Sequence, residues 1–159
     1  NGERLDSFEN DSLDFIVANH MLEHCENPLG AIRTHLSKIK VGGILYYAVP
    51  DKRYCFDKDR PITKFEHILE DFADGGVKSR ETHYREWVRL VNGVSESEKI
   101  EAETKRLMQM QYSIHFHVWD SGSYWEFLDS AHDFLNKTFK VADKNANDFE
   151  CISILKRIK

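Results

Sequence analysis

The sequence lacks a long apolar run, which limits its relation to membranes. No stretch reaches the roughly 18 consecutive apolar residues that predict a membrane-spanning helix, and no secretory signal peptide is recognisable at the start. It also lacks a CxxC motif, and its cysteines, Cys25, Cys55 and Cys151, are odd in number and widely separated. Such cysteines favour free thiols in a reducing compartment over a disulfide framework. We therefore predict a cytoplasmic protein without a membrane span.

An excess of positive charge is also missing. Lys and Arg number 22 against 27 Asp and Glu, so the formal net charge is -5, and both signs are mixed along the chain. Proteins that bind nucleic-acid backbones carry basic patches or stripes. We therefore predict no nucleic-acid partner. At 159 residues the chain can form one domain with its own core, and we predict a single domain over residues 1–159.

The first third of the chain contains a strand–helix–strand pattern. The apolar run Leu13–Ala18 is typical of a buried strand. Asn27 followed by Pro28 is a helix-start signal, and Gly42-Gly43 ends that unit before a second apolar run, Ile44–Val49. A helix between two strands implies that the strands are parallel with a right-handed crossover.

Three helices are predicted in the middle of the chain. Thr63 with Glu66 and Ser95 with Glu98 have capping-box spacing and predict the starts of the first and third helices. A helix from about Ser79 to Asn92 lies between them. We interpret residues of about 62–112 as a helical insertion, or lid, that covers the sheet edge.

The last third predicts one extended segment, one helix and two strands. Ile114–Trp119 alternates apolar residues with His and could be a short strand or an extended segment. Asp120 or Ser121 begins an amphipathic helix. Phe139–Asp143 and Phe149–Leu155 are separated by a short Asn-containing loop, which predicts an antiparallel hairpin.

Polar side chains follow both strands of the first unit. His20, Glu23 and His24 come after the first strand, while Asp51 and Arg53 come after the second. Ligands of open parallel sheets bind just past the carboxyl ends of the strands. The sequence therefore predicts a functional site at this edge.

The ordered set of motifs resembles class I S-adenosylmethionine-dependent methyltransferases, and more narrowly the methyltransferase type 11 group. A strand ending in Asn-His-Met-Leu-Glu-His is followed by Asn-Pro at a helix start, then by Lys-Val-Gly-Gly-Ile-Leu and a strand ending in Val-Pro. The resemblance implies an α/β fold with a doubly wound, Rossmann-like sheet, in which the last strand inserts antiparallel. It also implies S-adenosylmethionine as cofactor and methyl transfer to a small-molecule acceptor. The residues that match the family pattern are Asp14, Glu23, His24, Pro28, Gly42 and Gly43.

One departure from the family is large. The glycine-rich loop after the family's first strand is absent, and so is the acidic residue that holds the ribose hydroxyls. Asn1–Leu5 resembles the segment near the adenine, so the resemblance implies that the chain begins about halfway through the domain as its carboxyl-terminal part. The sheet would then be incomplete at its N-terminal half. The exposed edge of its first strand predicts pairing with a second copy or a partner chain.

The resemblance places cofactor binding at Leu5, Asn19, His20 and Glu23. A hydroxyl or amine acceptor also needs a base that titrates near the working pH, which favours His or Asp. An arginine past the second strand could clamp a substrate carboxylate or phosphate. We predict His24, His117 and Asp51 as catalytic residues, and Arg53, Arg60 and His115 as substrate-binding residues.

Several of these residues could instead have purely structural roles. The arginines could belong to a salt-bridged surface loop, His24 could be a satisfied buried histidine, and His115 with His117 could form a base, a metal site or a solvent face. No metal ligand set is predicted. The remaining histidines, His35, His67, His83 and His132, show no pattern that predicts convergence.

Two alternative functions also remain open. His20 to His24 reads H-x-x-E-H, which occurs in a class of zinc hydrolases, although that motif needs a helix through its middle. The other alternative is a non-catalytic binding or assembly module derived from the methyltransferase fold. Both alternatives predict that the chain does not transfer methyl groups.

Overall fold

A computed structural model describes residues 1–159 and contains the predicted strand–helix–strand unit. β1 (Leu13–Asn19) is joined to β2 (Ile39–Pro50) by α1 (Pro28–Lys38), and the two strands are parallel. The side chain of Asn27 accepts a hydrogen bond from the main-chain N–H of Gly30 over 2.7 Å, as expected of a helix cap. β2 begins five residues earlier than predicted, since Ile39 already pairs with Leu13 before the register shifts to the Phe15–Ile44 pair.

The carboxyl-terminal hairpin completes a four-stranded sheet. β3 (Phe139–Ala146) pairs antiparallel with β4 (Glu150–Arg157), and β4 lies antiparallel beside β2. The order is β1-β2-β4-β3, so β1 forms one edge. This arrangement confirms the predicted mixed α/β sheet with its antiparallel insertion and its exposed first strand.

The main core lies on one face of this sheet. α5 (Ser121–Phe134) begins at a capping box formed by Asp120 and Ser123, and it packs with α1 over the buried side chains of β2 and β4. The opposite face remains open: Phe15 is 65% and Val17 57% exposed. The sheet is therefore covered by helices on one side only, as expected of an incomplete doubly wound fold.

The remaining helices divide between two cores. α2 (Phe65–Asp74) packs onto the main core through Ile68, whereas α3 (Arg80–Leu90) and α4 (Ser97–Gln109) build a second, smaller core. The predicted capping boxes are wrong, since neither α2 nor α4 has a side-chain cap at its start. Thr63 Oγ1 instead accepts from the N–H of Val118 over 2.9 Å. The second core contains Tyr84, Trp87, Val88, Ile100, Leu107, Ile114 and Phe116.

Residues 114–119 form an extended segment and not a sheet strand. Its one strand-like contact is an isolated bridge between Trp119 and Asp51. The division of the chain into a domain and a lid over residues 62–112 stays a prediction. None of the helices has both the length and the apolar composition needed to cross a membrane.

Candidate functional site

The extended segment 114–119 crosses the edge of the sheet past the carboxyl ends of β1 and β2. The N–H of Phe116 donates to the carbonyl of Glu23 over 2.7 Å, in the loop after β1. The N–H of Lys52, after β2, donates to the carbonyl of Trp119 over 2.9 Å. These two contacts bring His115 to the edge at which a parallel sheet binds its ligands.

Glu23 lies at the centre of this edge as a buried acid. It is 1% exposed, and neither carboxylate oxygen has a hydrogen-bond partner. The nearest imidazole nitrogens are Nδ1 of His20 at 3.6 Å and Nε2 of His24 at 4.0 Å. Burial raises the pKa of Glu23 to about 6, because the charged form is poorly solvated there.

His20 and His24 flank Glu23 but differ in their surroundings. Nε2 of His20 contacts Oε1 of Glu150 at 2.6 Å, and its side chain is 47% exposed. Nδ1 of His24 donates to the carbonyl of Ile114 over 2.8 Å. Burial lowers the pKa of His24, and the neighbouring His115 lowers it further. His24 is therefore a neutral imidazole whose Nε2 is free to accept.

The H-x-x-E-H stretch does not form the helix that the zinc-hydrolase alternative requires. Leu22–His24 is a single 3-10 turn, and His20 before it has a positive φ of 49°. Two histidines share a metal in that motif because an α-helix places positions i and i+4 on one face. Here His20 and His24 bind different partners, so the zinc-hydrolase prediction is wrong on structural grounds.

His115 and Asp57 form a buried, hydrogen-bonded pair. Nδ1 of His115 donates to Oδ2 of Asp57 over 2.6 Å, while Arg60 donates to Oδ1 over 2.8 Å and to the carbonyl of His115 over 2.7 Å. Burial acts to raise the pKa of Asp57, but the hydrogen bonds from His115 and Arg60 hold it below its usual value. The ionised carboxylate fixes the proton of His115 on Nδ1 and leaves Nε2 as an acceptor.

Aromatic rings enclose the imidazole of His115. Its ring centroid lies 4.8 Å from that of Phe56, 5.9 Å from that of Trp87 and 4.6 Å from that of His24. One ligating atom each from Glu23, His24 and His115 lies within 4.8 Å of the others. The edge thus contains an acid, two imidazoles and an apolar wall, which is a set of groups able to move a proton in a partly dry environment.

Asp51 and Arg53 form a separate ion pair after β2. Asp51 is fully buried, and its Oδ2 accepts from Nη2 of Arg53 over 2.6 Å and from the N–H of Ser121 over 3.2 Å. The side chain of Arg53 is 52% exposed. Asp51 therefore anchors Arg53 at the start of α5, and Arg53 keeps donors open to solvent.

The structure brings together some of the predicted site residues and separates others. His20, Glu23, His24 and His115 share one edge, with Asn19 at the end of β1 beside them. His117 does not join them, since its Nε2 lies 3.6 Å from Oδ2 of Asp71. His115 and His117 thus have different partners.

The remaining two predicted site residues are Arg60 and Leu5. Arg60 is 1% exposed and is engaged by Asp57 and, over 2.8 Å, by Glu86. Leu5 lies in the amino-terminal turn at φ 46°. Their substrate and cofactor roles stay predictions. Sequence reasoning missed Asp57 and Glu86 as members of the site, although Asp57 stands three residues before Arg60 in a charged loop.

Comparisons with known proteins identify a family. Residues 3–136 match the family model described as a methyltransferase domain, whereas no curated protein matches the sequence. The fold is similar to that of the PH0226 protein from Pyrococcus horikoshii OT3, with a TM-score of 0.50 and 12% identity over 99% of this chain and 57% of that one. A complex of the Haloferax volcanii Trm112 methyltransferase activator with a candidate methyltransferase gives a TM-score of 0.49 and 12% identity over 100% of this chain and 60% of that one. The chain thus spans less than two thirds of these structures.

Proposed function

The chain belongs to the methyltransferase domain family, and on that premise we propose that it serves S-adenosylmethionine-dependent methyl transfer to a small-molecule acceptor. We further propose that it acts as the carboxyl-terminal part of a class I methyltransferase. The observation that carries the proposal is the buried Asp57–His115 pair beside Glu23, at the edge where this fold binds ligands.

The residues at this edge fit the methionine end of S-adenosylmethionine. Glu23 is a buried acid with two unpartnered oxygens, which a cationic ligand group would satisfy. Asn19 and His20 lie at the end of β1 and would hold that end of the cofactor, with Leu5 on its adenine side. When bound, S-adenosylmethionine supplies an electrophilic methyl group.

The role proposed for His115 is to take a proton from the acceptor. Asp57 fixes the tautomer, so Nε2 faces the acceptor as a base, and the carboxylate stabilises the imidazolium that forms. Arg60 keeps Asp57 ionised and in place through its 2.8 Å hydrogen bond. This assignment moves the base from His117 to His115, because only His115 has an orienting carboxylate at the edge.

Arg53 is proposed to bind an anionic group of the acceptor. Its guanidinium is half-exposed and is held in orientation by Asp51 and by a 3.0 Å hydrogen bond to Oγ of Ser121. A planar guanidinium with free N–H groups suits a carboxylate or phosphate. The aromatic wall around His115 favours an acceptor that also carries an apolar or ring-shaped part.

Calorimetric titration with S-adenosylmethionine tests the proposal, using both the 159-residue chain and the protein that its gene encodes. We expect His20→Ala to weaken binding. His115→Gln should keep binding but lower the rate of S-adenosylhomocysteine release, with pooled hydroxyl and amine acceptors, by about 10²–10⁴-fold. His132→Gln, on α5, is the matched control and should change neither quantity. Absence of binding in both proteins would refute the proposal.

The open sheet face favours a second candidate, a non-catalytic assembly module. Phe15 and Val17 expose apolar surface beside the unpaired edge of β1, where a second copy or a partner chain can pair. This candidate predicts assembly without cofactor binding. Phe15→Lys should then shift the protein to a smaller species in sedimentation, while the calorimetric signal stays absent.

A further inference from the structure

Four side chains from three elements converge on one point outside the proposed site. His67 and Asp71 stand one turn apart on α2, His83 comes from α3, and His117 comes from the extended segment. Nε2 of His67 lies 2.9 Å from Nε2 of His83 and 3.2 Å from Oδ2 of Asp71. The same oxygen lies 3.6 Å from Nε2 of His117 and 3.8 Å from Nε2 of His83.

Hydrogen bonding alone leaves this cluster incompletely satisfied. Oδ2 of Asp71 is buried without a hydrogen-bond partner, although three imidazole nitrogens lie 3.2–3.8 Å from it. Asp71 is 1%, His117 0% and His83 8% exposed. The one other contact of His117 Nε2 is a long one, 3.4 Å to the carbonyl of Glu26. A buried polar atom without a partner is costly, and a cation at the shared point would remove that cost.

The spacing matches a tetrahedral metal site. Zinc bonds of about 2.0–2.2 Å to nitrogen and oxygen place adjacent ligand atoms about 3.4 Å apart. The four measured separations run from 2.9 to 3.8 Å, and all the ligand atoms lie within 4.8 Å of one another. Three imidazoles with one carboxylate are borderline ligands that suit zinc and its neighbours better than calcium or magnesium.

The surroundings of Asp71 resemble the outer shell of a metal site. Oγ of Ser79 donates to Oδ1 of Asp71, which orients the carboxylate and leaves Oδ2 towards the histidines. His67 is 33% exposed, and the surface cleft beside it, also lined by Thr82 and His83, offers an entry path.

We propose that His67, Asp71, His83 and His117 bind one divalent transition-metal ion of the zinc class. Because all four ligands come from the protein, the site is structural and not catalytic. It ties α2 and α3 to the extended segment, and His117 stands two residues after His115. The ion would thereby hold in place the segment that carries the proposed base. The proposal does not depend on the methyl-transfer function.

Metal titration of the chelator-stripped protein tests this proposal. Zn²⁺ should bind with one-to-one stoichiometry and raise the melting temperature, and Co²⁺ should give the intense visible absorption of a tetrahedral complex. His67→Gln, at the most exposed of the four ligands, and Asp71→Asn should each weaken Co²⁺ binding at least about 10-fold, in the range seen for losses around metal sites. His132→Gln should bind as the unsubstituted protein does.

Several outcomes would overturn the proposal. One is that Zn²⁺ leaves the melting temperature of the unsubstituted protein unchanged, a result that needs no variant to fold. Another is a Co²⁺ spectrum typical of six-coordinate, water-rich sites. A third is that His67→Gln keeps the tetrahedral spectrum while His24→Gln loses it, which would place the ion at the Glu23–His24–His115 group instead. Circular dichroism of each variant separates loss of a ligand from loss of the fold.

Discussion

Replacing Glu23 by Gln is expected to change the free energy of unfolding in a pH-dependent way. Relative to the parent protein, the variant should be more stable at pH 8 than at pH 4.5. The pKa of Glu23 rises from 4.5 to about 6 because the side chain is buried. The folded state therefore binds a proton more tightly than the unfolded state does. This contribution to stability is fully present below pH 4.5 and is lost as the pH rises through about 6. The difference between pKa values of 4.5 and about 6 corresponds to about 2 kcal/mol.

Urea denaturation of both proteins at pH 4.5 and pH 8 measures this effect. The difference in the free energy of unfolding between Glu23→Gln and the parent should become more favourable by up to about 2 kcal/mol from the lower to the higher pH. Comparing the two proteins cancels other titrating groups to the extent that they are independent of Glu23. Any pH-independent free energy of burying the glutamine amide contributes equally at both pH values, and it therefore cancels in the comparison.

Glu150→Gln provides a control of opposite sign. The hydrogen bond from His20 lowers the pKa of Glu150, so this carboxylate stabilises the folded state above the usual glutamate range. Its removal should cost stability at pH 8 and little at acidic pH. If Glu23→Gln showed the same trend as Glu150→Gln, or no dependence on pH, the interpretation of Glu23 as a buried and unpartnered acid would be refuted.

Two further predictions concern stability. Tyr47→Phe should lower the free energy of unfolding by about 1–3 kcal/mol in chemical denaturation. Nε2 of His35 donates to the carbonyl of Gly2, so the buried Nδ1 of His35 accepts from the Tyr47 hydroxyl over 2.7 Å and loses that donor in the variant. An unchanged denaturation midpoint would contradict this assignment. Gly76→Ala should lower the melting temperature more than Gly75→Ala, since both glycines have φ of 78° but only a Cβ at Gly76 would lie 2.6 Å from the Glu26 carbonyl. Equal losses of melting temperature in the two variants would show that backbone strain, and not the contact with Glu26, determines the loss.

Short-range signals predicted most of the fold. Helices begin at the predicted signals Asn27-Pro28 and Asp120, because a cap acts within three residues of the helix start. The apolar runs of β1 and β2 correctly predicted strands, but the expected burial holds for β2 only, since Phe15 and Val17 of β1 are exposed on the open face of the sheet. Thr63 does not cap α2 because its hydroxyl oxygen accepts a hydrogen bond from the N–H of Val118, 55 residues away.

The candidate site was predicted less completely. The positions of His20, Glu23 and His24 followed from the strand that precedes them. Asp57 was missed as a member, because nothing local pairs a loop carboxylate with a histidine 58 positions later.

The sequence by itself determined the strand–helix–strand unit, the carboxyl-terminal hairpin and the family pattern, since each depends on neighbours within a few positions. Only the tertiary structure decided which histidines meet. His115 and His117 alternate along the chain, yet one pairs with Asp57 and the other lies against Asp71, because the segment between them packs among loops and helices instead of joining the sheet. Convergence of side chains from separate elements depends on how those elements pack. It therefore cannot be predicted from the residue periodicity within one element.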